Sequence, residues 1–449
     1  MDRLYRNRLY RAAALAVFCG VGWPAAASDL PDFVPRIGAK SIVTISDGDV
    51  LASSYADGQL APESAGHRDL LTVISLSAQG AASTSVEVSN SVTAAPEVLA
   101  LAPDGRSAFV VERLKQRASG AKAVKDLAAG DRLFALDISD PVAPKIVATA
   151  QIAAFPESVA VSPDGRRVAV VSNTPEAAWL QVVEFRGGAF SDVQRFNLAD
   201  LGVLGTASGP RGGVTATNVH WHPSEEVLAV NINTQNRVAF FRLGERPTLW
   251  GNIVEVGRDP FVGRFTPDGA YYLTADWGRD FSATSLDGRL PTKPSSISVI
   301  RLGKAGAAGE ADRHTVTATA PTDASSEGLA VSPDGRLVAT VNMRGTAFPS
   351  SSPRFDRQAT VTLLQFDPAK GALTRIADYP VEGVLPEGGS FDATGEHFLA
   401  TVFHGHGGAG KQQGAGLEVF RVEKGGRPSL SRVGRIPLPH GVHHVAIHR

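Results

Sequence analysis

The chain holds a single cysteine, Cys19, and two methionines, so no disulfide framework or cysteine-based metal cluster organises it. Past residue 27 no apolar run reaches the roughly 18 residues that a membrane-spanning helix needs. Neither sign of charge is in excess, with 44 Lys and Arg against 45 Asp and Glu. Nucleic-acid binding would call for a strongly basic surface. Long helices are disfavoured as well, because 46 glycines and 28 prolines recur throughout the chain. Two nucleotide-binding look-alikes, "GPRGG" at 209–213 and "HGGAGKQQG" at 406–414, lack the G-x-x-x-x-G-K-[ST] spacing between a strand and a helix. No G-x-S-x-G elbow marks a nucleophilic serine.

The first thirty residues read "MDRLYRNRLYRAAALAVFCGVGWPAAASDL". Arg3, Arg6, Arg8 and Arg11 precede an apolar run from Ala12 to Trp23, followed by Ala25, Ala26 and Ala27. This is the order of a secretory signal, too short to remain as an anchor. Cleavage after Ala27 is expected, giving a signal over 1–27, an N-terminal extension over 28–40 and one domain over 41–449. Cys19 leaves with the signal, and its neighbours Val17 and Phe18 do not suit lipid attachment. Losing the four arginines and Asp2 takes the formal charge from −1 to −4. An exported, soluble monomer is expected, and the Ala/Arg/Gly-rich, lysine-poor usage points to a bacterial periplasm.

What the sequence has in abundance is one phrase. It appears as "PEVLALAPDGRSAFVVER" from Pro96, "PESVAVSPDGRRVAVVSN" from Pro156, "ATNVHWHPSEEVLAVNIN" from Ala216, "PFVGRFTPDGAYYLTADW" from Pro260, "SEGLAVSPDGRLVATVNM" from Ser326 and "PEGGSFDATGEHFLATVF" from Pro386. Its turn recurs roughly every 45 to 65 residues, a period expected of propellers or solenoids. Within each unit apolar residues alternate, as at Val159 and Val161 before the turn and Val168 and Val170 after it, which fits half-buried strands. A second strand pair follows each hairpin, for example over 180–198 and 237–256. Four antiparallel strands per unit make a propeller blade. The segment over 41–92 supplies three more strands, and "GVHHVAIHR" at the C-terminus reads as a lone first strand. The expected fold is therefore all-β: a seven-bladed β-propeller of four-stranded antiparallel blades, closed by the C-terminal strand.

In such a ring the first strand of each blade lines the central channel, and the Pro-Asp-Gly turns share one face. Long connections over 112–132, 276–296, 342–359 and 403–416 share the other face, where a binding site is expected. Six residues before each turn stand Glu97, Glu157, Thr217, Phe261, Glu327 and Glu387, with His443 equivalent in the closing strand. Converging carboxylates raise one another's pKa or recruit a cation. Ca²⁺ suits oxygen donors, while His440, His443 or His444 suits a transition metal. The same glutamates also serve as ordinary turn residues bonding loop amides.

Where other units carry Ala100, Ala160, Ala330, Ser390 and Ala446, the fourth and fifth carry His220 and Arg264. Exceptions to a local rule mark functional candidates. Arg264 either pairs an anionic group of a ligand or neutralises the carboxylate ring. "FHGHGG" and "PHGVHH" bring His404, His406, His440 and His443 into adjacent blades as candidate ligands of a divalent metal ion; solvated histidines are the alternative.

"SPDGRRVAVVSN" and "SPDGRLVATVNM", preceded by "PES" and "SEG", resemble the YVTN-type, lactonase-like seven-bladed propellers over nearly all of 41–449. The resemblance implies the fold, and one fold hosts many sites. Enzymes of that family typically carry Pro-Arg-His leading into a channel strand. Here Pro156-Glu157-Ser158 and Ala216-Thr217-Asn218 stand at the matching places, Arg211 falls too early, and His444 is in register but preceded by His443. Three readings follow. The first is an exported, non-catalytic propeller binding a protein partner or small anionic ligand on its long-loop face. The second is a lactonase- or isomerase-like enzyme in which His220 or His444 works with a channel glutamate such as Glu157 while Arg264 clamps an anion. The third is a metal-binding periplasmic protein.

Overall fold

Each repeated turn is held by its own side chains. In the third unit Ser162 donates its hydroxyl to Asp164 at 2.6 Å and accepts from the Arg167 N–H at 3.0 Å, while Gly165 takes a φ of 71° that L side chains resist. Thr266 with Asp268 and Ser332 with Asp334 repeat the device. Where the fourth unit lacks it, His222 Nδ1 accepts from the N–H groups of Ser224 and Glu225. Tight hairpins of alternating strands follow, each burying one face against the next blade.

The computed structural model describes residues 30–77, 80–92, 97–206, 210–304 and 312–449. The expected signal over 1–27, with Cys19 and the Ala27 cleavage point, lies outside the described residues. Seven antiparallel sheets form the ring. Blade 1 comprises Ser41–Ser46, Leu70–Ser77 and Gly80–Glu87, and its inner strand is the C-terminal Val442–His448. That strand pairs with Ser41–Ser46 from Ser41 opposite His448 to Ser46 opposite Val442, so the chain's end closes the ring as the sequence predicts. The other inner strands are Leu99–Leu101, Pro156–Val161, Ala216–Trp221, Pro260–Phe265, Ser326–Val331 and Gly389–Phe391, in blades 2 to 7. Neighbouring inner strands touch all the way round.

Blade 4 departs from the pattern, because its outer strand is split into Thr248–Leu249 and Val254–Glu255. Between them Gly251 takes a φ of 63° and Trp250 turns inward, donating its indole N–H to Asp312 at 2.7 Å. Residues 30–40 are fastened to the seam of blades 7 and 1. Val34 and Ile37 pack with Ile42, Leu399 and Ile436, and the Gly38 N–H donates to Asp392 at 2.9 Å. Among the described residues no helix is long and apolar enough to cross a membrane.

The long connections do not stand open. Together with one more, over 47–69, they pack on each other across the channel mouth. A single apolar cluster joins Val50, Tyr55 and Leu60 of blade 1 with Trp277 and Leu290 of blade 5, Phe348 of blade 6 and Phe403 of blade 7. The short helices Ser54–Asp57 and Leu286–Arg289 meet over it. Arg354 fastens the cap by donating to the Asp287 and Leu290 carbonyls. Burying this much apolar surface at about 25 cal/mol per Å² makes the cap part of the folded core.

Candidate functional site

Glu97 stands at the head of the blade 2 inner strand and reaches across the channel. It accepts from Asn218 Nδ2 at 2.8 Å, His220 Nε2 at 2.7 Å and Arg264 Nη1 at 2.9 Å through Oε2, and from Arg264 Nη2 at 2.5 Å through Oε1. His444 Nε2 lies 3.7 Å from Oε1. Blades 1, 2, 4 and 5 thus meet at one carboxylate, which the ring geometry allows although 167 positions separate Glu97 from Arg264. Asn218 is fixed in turn by the Gly263 N–H, which donates to its Oδ1 at 3.0 Å.

The cluster's protonation follows from its neighbours. Burial pushes the Glu97 carboxyl up, but Arg264, His220 and His444 together hold it well below the usual glutamate range. Burial pushes His220 down, assisted by Arg264 and opposed by Glu97, and pushes His444 down to about 4. At neutral pH the cluster is one carboxylate, one guanidinium and two neutral imidazoles. Arg264 Nη1 also lies 2.7 Å from His220 Nε2. That nitrogen either donates to Glu97 or accepts from Arg264, and the first choice leaves Nδ1 as a lone-pair base. Nδ1 has no hydrogen-bond partner among the described residues. Side-chain exposure is 23% for His220 and 21% for Arg264 against 6% for Glu97. The long connections pack over one mouth of the channel, and the two residues keep part of their side-chain surface exposed.

The other glutamates of the expected ring go elsewhere. Glu157 pairs with Arg113, which donates Nε at 3.0 Å and Nη2 at 3.2 Å, so it is not part of the cluster. Glu327 and Glu387 lie beneath the cap, where Tyr55 donates to Glu387. Both Glu327 oxygens and Glu387 Oε2 are buried without a hydrogen-bond partner. Burial, with Glu387 as neighbour, pushes Glu327 well above the usual value; burial raises Glu387 to about 8. Nearby, Arg279 is held in a two-pronged pair with Asp259 at 2.8 and 3.0 Å and stacks on Trp277.

His443 turns from the expected ring to Asn90, at 3.2 Å from its Oδ1, and burial lowers it to about 3. The expected metal-binding histidines do not converge. His404 and His440 are stacked with ring centroids 5.5 Å apart and planes 10° from parallel, and His67 stacks on the other side of His440 at 3.7 Å. Stacked rings aim their lone pairs along parallel planes, not at one point. His404 donates to the Gly405 carbonyl, His440 to Val50 and His406 to Arg357. Among the described residues no three His, Cys, Asp or Glu side chains are placed to hold a metal ion.

The sequence assigns no site role to Asn218, Tyr55, Arg113 or His67. The 47–69 insertion that carries Tyr55 and His67 occupies the same place in its blade as the other long connections, and that spacing could have marked it. Nothing local announces that Asn218 faces Glu97. A cavity of about 500 Å³ on the turn face, lined by His222, Trp250, Tyr271 and Arg301 among others, contains none of the cluster residues.

No known family profile matches the chain, and no curated protein matches it. Solved structures do. A candidate 6-phosphogluconolactonase from Bacteroides uniformis superposes with a TM-score of 0.61 at 13% identity, over 91% of this chain and 99% of that one. The periplasmic gluconolactonase of Pseudomonas aeruginosa gives 0.60 at 17% identity, over 91% and 99%. A candidate 6-phosphogluconolactonase from Bacteroides fragilis gives 0.59 at 12%, over 93% and 99%. At such identities the likeness is one of fold: this chain shares the seven-bladed propeller of lactonase-like proteins.

Proposed function

We propose that the protein is an exported, lactonase-like enzyme that opens a small cyclic ester in the channel. The observation that carries this reading is the convergence of Glu97, His220 and Arg264 around one partly exposed imidazole. Glu97 accepts the Nε2 proton and orients the ring. His220 Nδ1 then takes a proton from water, and the oxygen bonds to the ester carbonyl carbon. Arg264, the fixed positive charge beside the imidazole, stabilises the carbonyl oxygen as it gains negative charge. The ring C–O bond breaks, the leaving oxygen takes the proton back from His220, and a hydroxy acid departs. Export rests on the Arg-rich, apolar N-terminus, and the fold likeness to a periplasmic gluconolactonase agrees with it.

A panel of aldonolactones assayed against wild type, His220→Gln and Arg264→Ala tests this. Each substitution should lower kcat/KM by about 10²-fold or more. Unchanged turnover in both variants, or none in wild type, sinks the reading. The wild-type acid limb should lie below the ordinary imidazole value of 6.5, because burial lowers His220 and only the neutral ring is a base. A second reading, a protein partner on the long-loop face, has exposed Phe281 and Leu286 in its favour. Reproducible capture of one exported protein, abolished by Phe281→Ser with Leu286→Ser, is its test.

A further inference from the structure

The cap closes over two carboxyls that stand close together. Glu327 and Glu387 head the inner strands of blades 6 and 7, and a Cβ at Gly328 would run into the Glu387 carbonyl. Glu327 is buried, and neither of its oxygens nor Glu387 Oε2 has a hydrogen-bond partner among the described residues. Tyr55 donates to the other Glu387 oxygen. The remaining charges nearby are already used. Arg279 is paired with Asp259, while His443 and His444, whose backbone lies against Gly388, are neutral. If both ionised, Glu327 and Glu387 would place two like charges side by side out of water.

The 47–69 connection that covers them has a firm root and a loose seam. At the root Asp47 accepts from the N–H groups of Asp49 at 2.7 Å and Val50 at 3.0 Å, and Asp69 accepts from that of Gly48 at 2.8 Å. The tip is tied to the blade 2 connection, where the Leu60 N–H donates to the Lys122 carbonyl and the Val124 N–H to that of Gly58, both at 2.9 Å. Towards blades 5, 6 and 7 the contact is through side chains. Ala52, Tyr55 and Leu60 share one apolar cluster with Trp277, Leu290 and Phe348, and no backbone hydrogen bond joins 51–60 to those blades among the described residues. A seam of this kind parts without breaking a strand pairing.

We infer that the cap is a proton-operated lid: the 47–69 connection stays down while Glu327 and Glu387 hold protons, and lifts from the long-loop mouth when they lose them. The direction follows from linkage. Lifting wets the carboxyls and returns them to the ordinary 4.5, whereas the closed cap raises Glu387 to about 8 and Glu327 well above its usual value. Between those values the closed form keeps a proton that the open form releases. Opening therefore becomes up to ~10-fold more favourable per pH unit for each carboxyl, and for Glu387 the change is complete above about 8. Acid tightens the cap and alkali loosens it. The device is independent of what the channel binds or converts.

Thiol trapping tests this without turnover, because the chain has no cysteine after Cys19. Ala52→Cys puts a buried thiol on the moving connection, and Ala169→Cys puts one in the body of blade 3 as a control. Each is labelled with iodoacetamide in the mature protein, in the wild-type background and with Glu327→Gln and Glu387→Gln combined. Dividing the first rate by the second at each pH cancels the ionisation of the thiol and that of Asp47 and Asp69 at the root. For Ala52→Cys the quotient should rise at least ~10-fold from about pH 5 to about pH 8, and for Ala169→Cys it should stay within about 2-fold. If the double variant does not fold, the ratio of Ala52→Cys to Ala169→Cys labelling in the wild-type background decides, with the same rise expected. A flat course for Ala52→Cys, or an equal rise at both positions, overturns the inference and leaves the reading of the Glu97 cluster untouched.

Discussion

Glu97 and Glu327 occupy the same place in the repeated phrase and are both nearly inaccessible, at 5% and 2% exposure, yet their surroundings push their pKa values in opposite directions. Glu97 faces Arg264, His220 and Asn218 and stays ionised; Glu327 faces Glu387 without a donor and is pushed towards its neutral form. The repeat places the carboxyl, and the blade across the channel decides its charge. Burial alone favours the neutral form in both, so the difference is the partner's contribution. One carboxyl can therefore orient a base. The other joins the floor of a closed cap.

The comparison breaks most visibly in stability. Arg264→Ala would leave Glu97 charged and uncompensated, an effect typically of about 3–5 kcal/mol for a buried pair that loses one member. Glu327→Gln removes a carboxyl that has no partner to lose and should shift stability by less than about 1 kcal/mol. Urea unfolding of the two variants checks this; equal losses would mean that Glu97 is no better matched than Glu327.

Glu97 and Glu387, the neighbour of Glu327, also titrate in opposite senses. Glu97 has a lowered folded pKa, so its stabilisation is present above the ordinary 4.5 and lost as pH falls below it. Glu387 is raised to about 8, so the stability it contributes is full below 4.5 and lost as pH rises through about 8. At about 1.4 kcal/mol per pKa unit, the loss between those two values should be on the order of several kcal/mol. The histidines of the closing strand add to the acid side: His443 and His444 are held neutral to about 3 and 4, so the unfolded chain gains protons from 6.5 downwards while the fold does not. Glu327→Gln with Glu387→Gln should flatten the alkaline limb of a Tm–pH curve and leave the acid limb intact. A flattened acid limb would show the two ends to be one coupled system.

The fold was legible because most blades repeat one local grammar: a Pro-Asp-Gly turn in blades 2, 3, 5 and 6, opened by a hydroxyl in the last three of these, with alternating apolar residues on either side. Closure was legible too, since a lone strand at the C-terminus matched a first strand missing from the N-terminal segment. The site was legible only in part. His220 and Arg264 stood out as bulky residues in a slot of small ones, on the two blades whose glutamate is replaced by Thr217 and Phe261. Their shared partner lies two and three blades away, and no local pattern encodes which of four glutamates turns towards them. The long loops were visible as insertions, but their mutual packing depends on apolar residues that loops also carry when they are open. The face on which a binding site is expected is therefore one where the long connections pack together, a packing that the sequence does not announce.

The smallest expected effect isolates the capped end. Tyr55 donates to Glu387 from the 47–69 connection, and that bond favours the carboxylate. Tyr55→Phe keeps the ring in the apolar cluster and removes only the hydroxyl, so stability should fall by about 0.5–1.5 kcal/mol. The Glu387 pKa should rise further above about 8, since burial then acts with less opposition. Carboxyl infrared bands or carbon NMR of Glu387 reads that shift directly. Tyr55 packs in the apolar cluster of the cap, whereas Glu97 pairs with Arg264 and His220; if these are separate sites, lactone turnover should stay within about 2-fold. If Tyr55→Phe instead lowered turnover as strongly as a change at His220, the cap and the cluster would form one site.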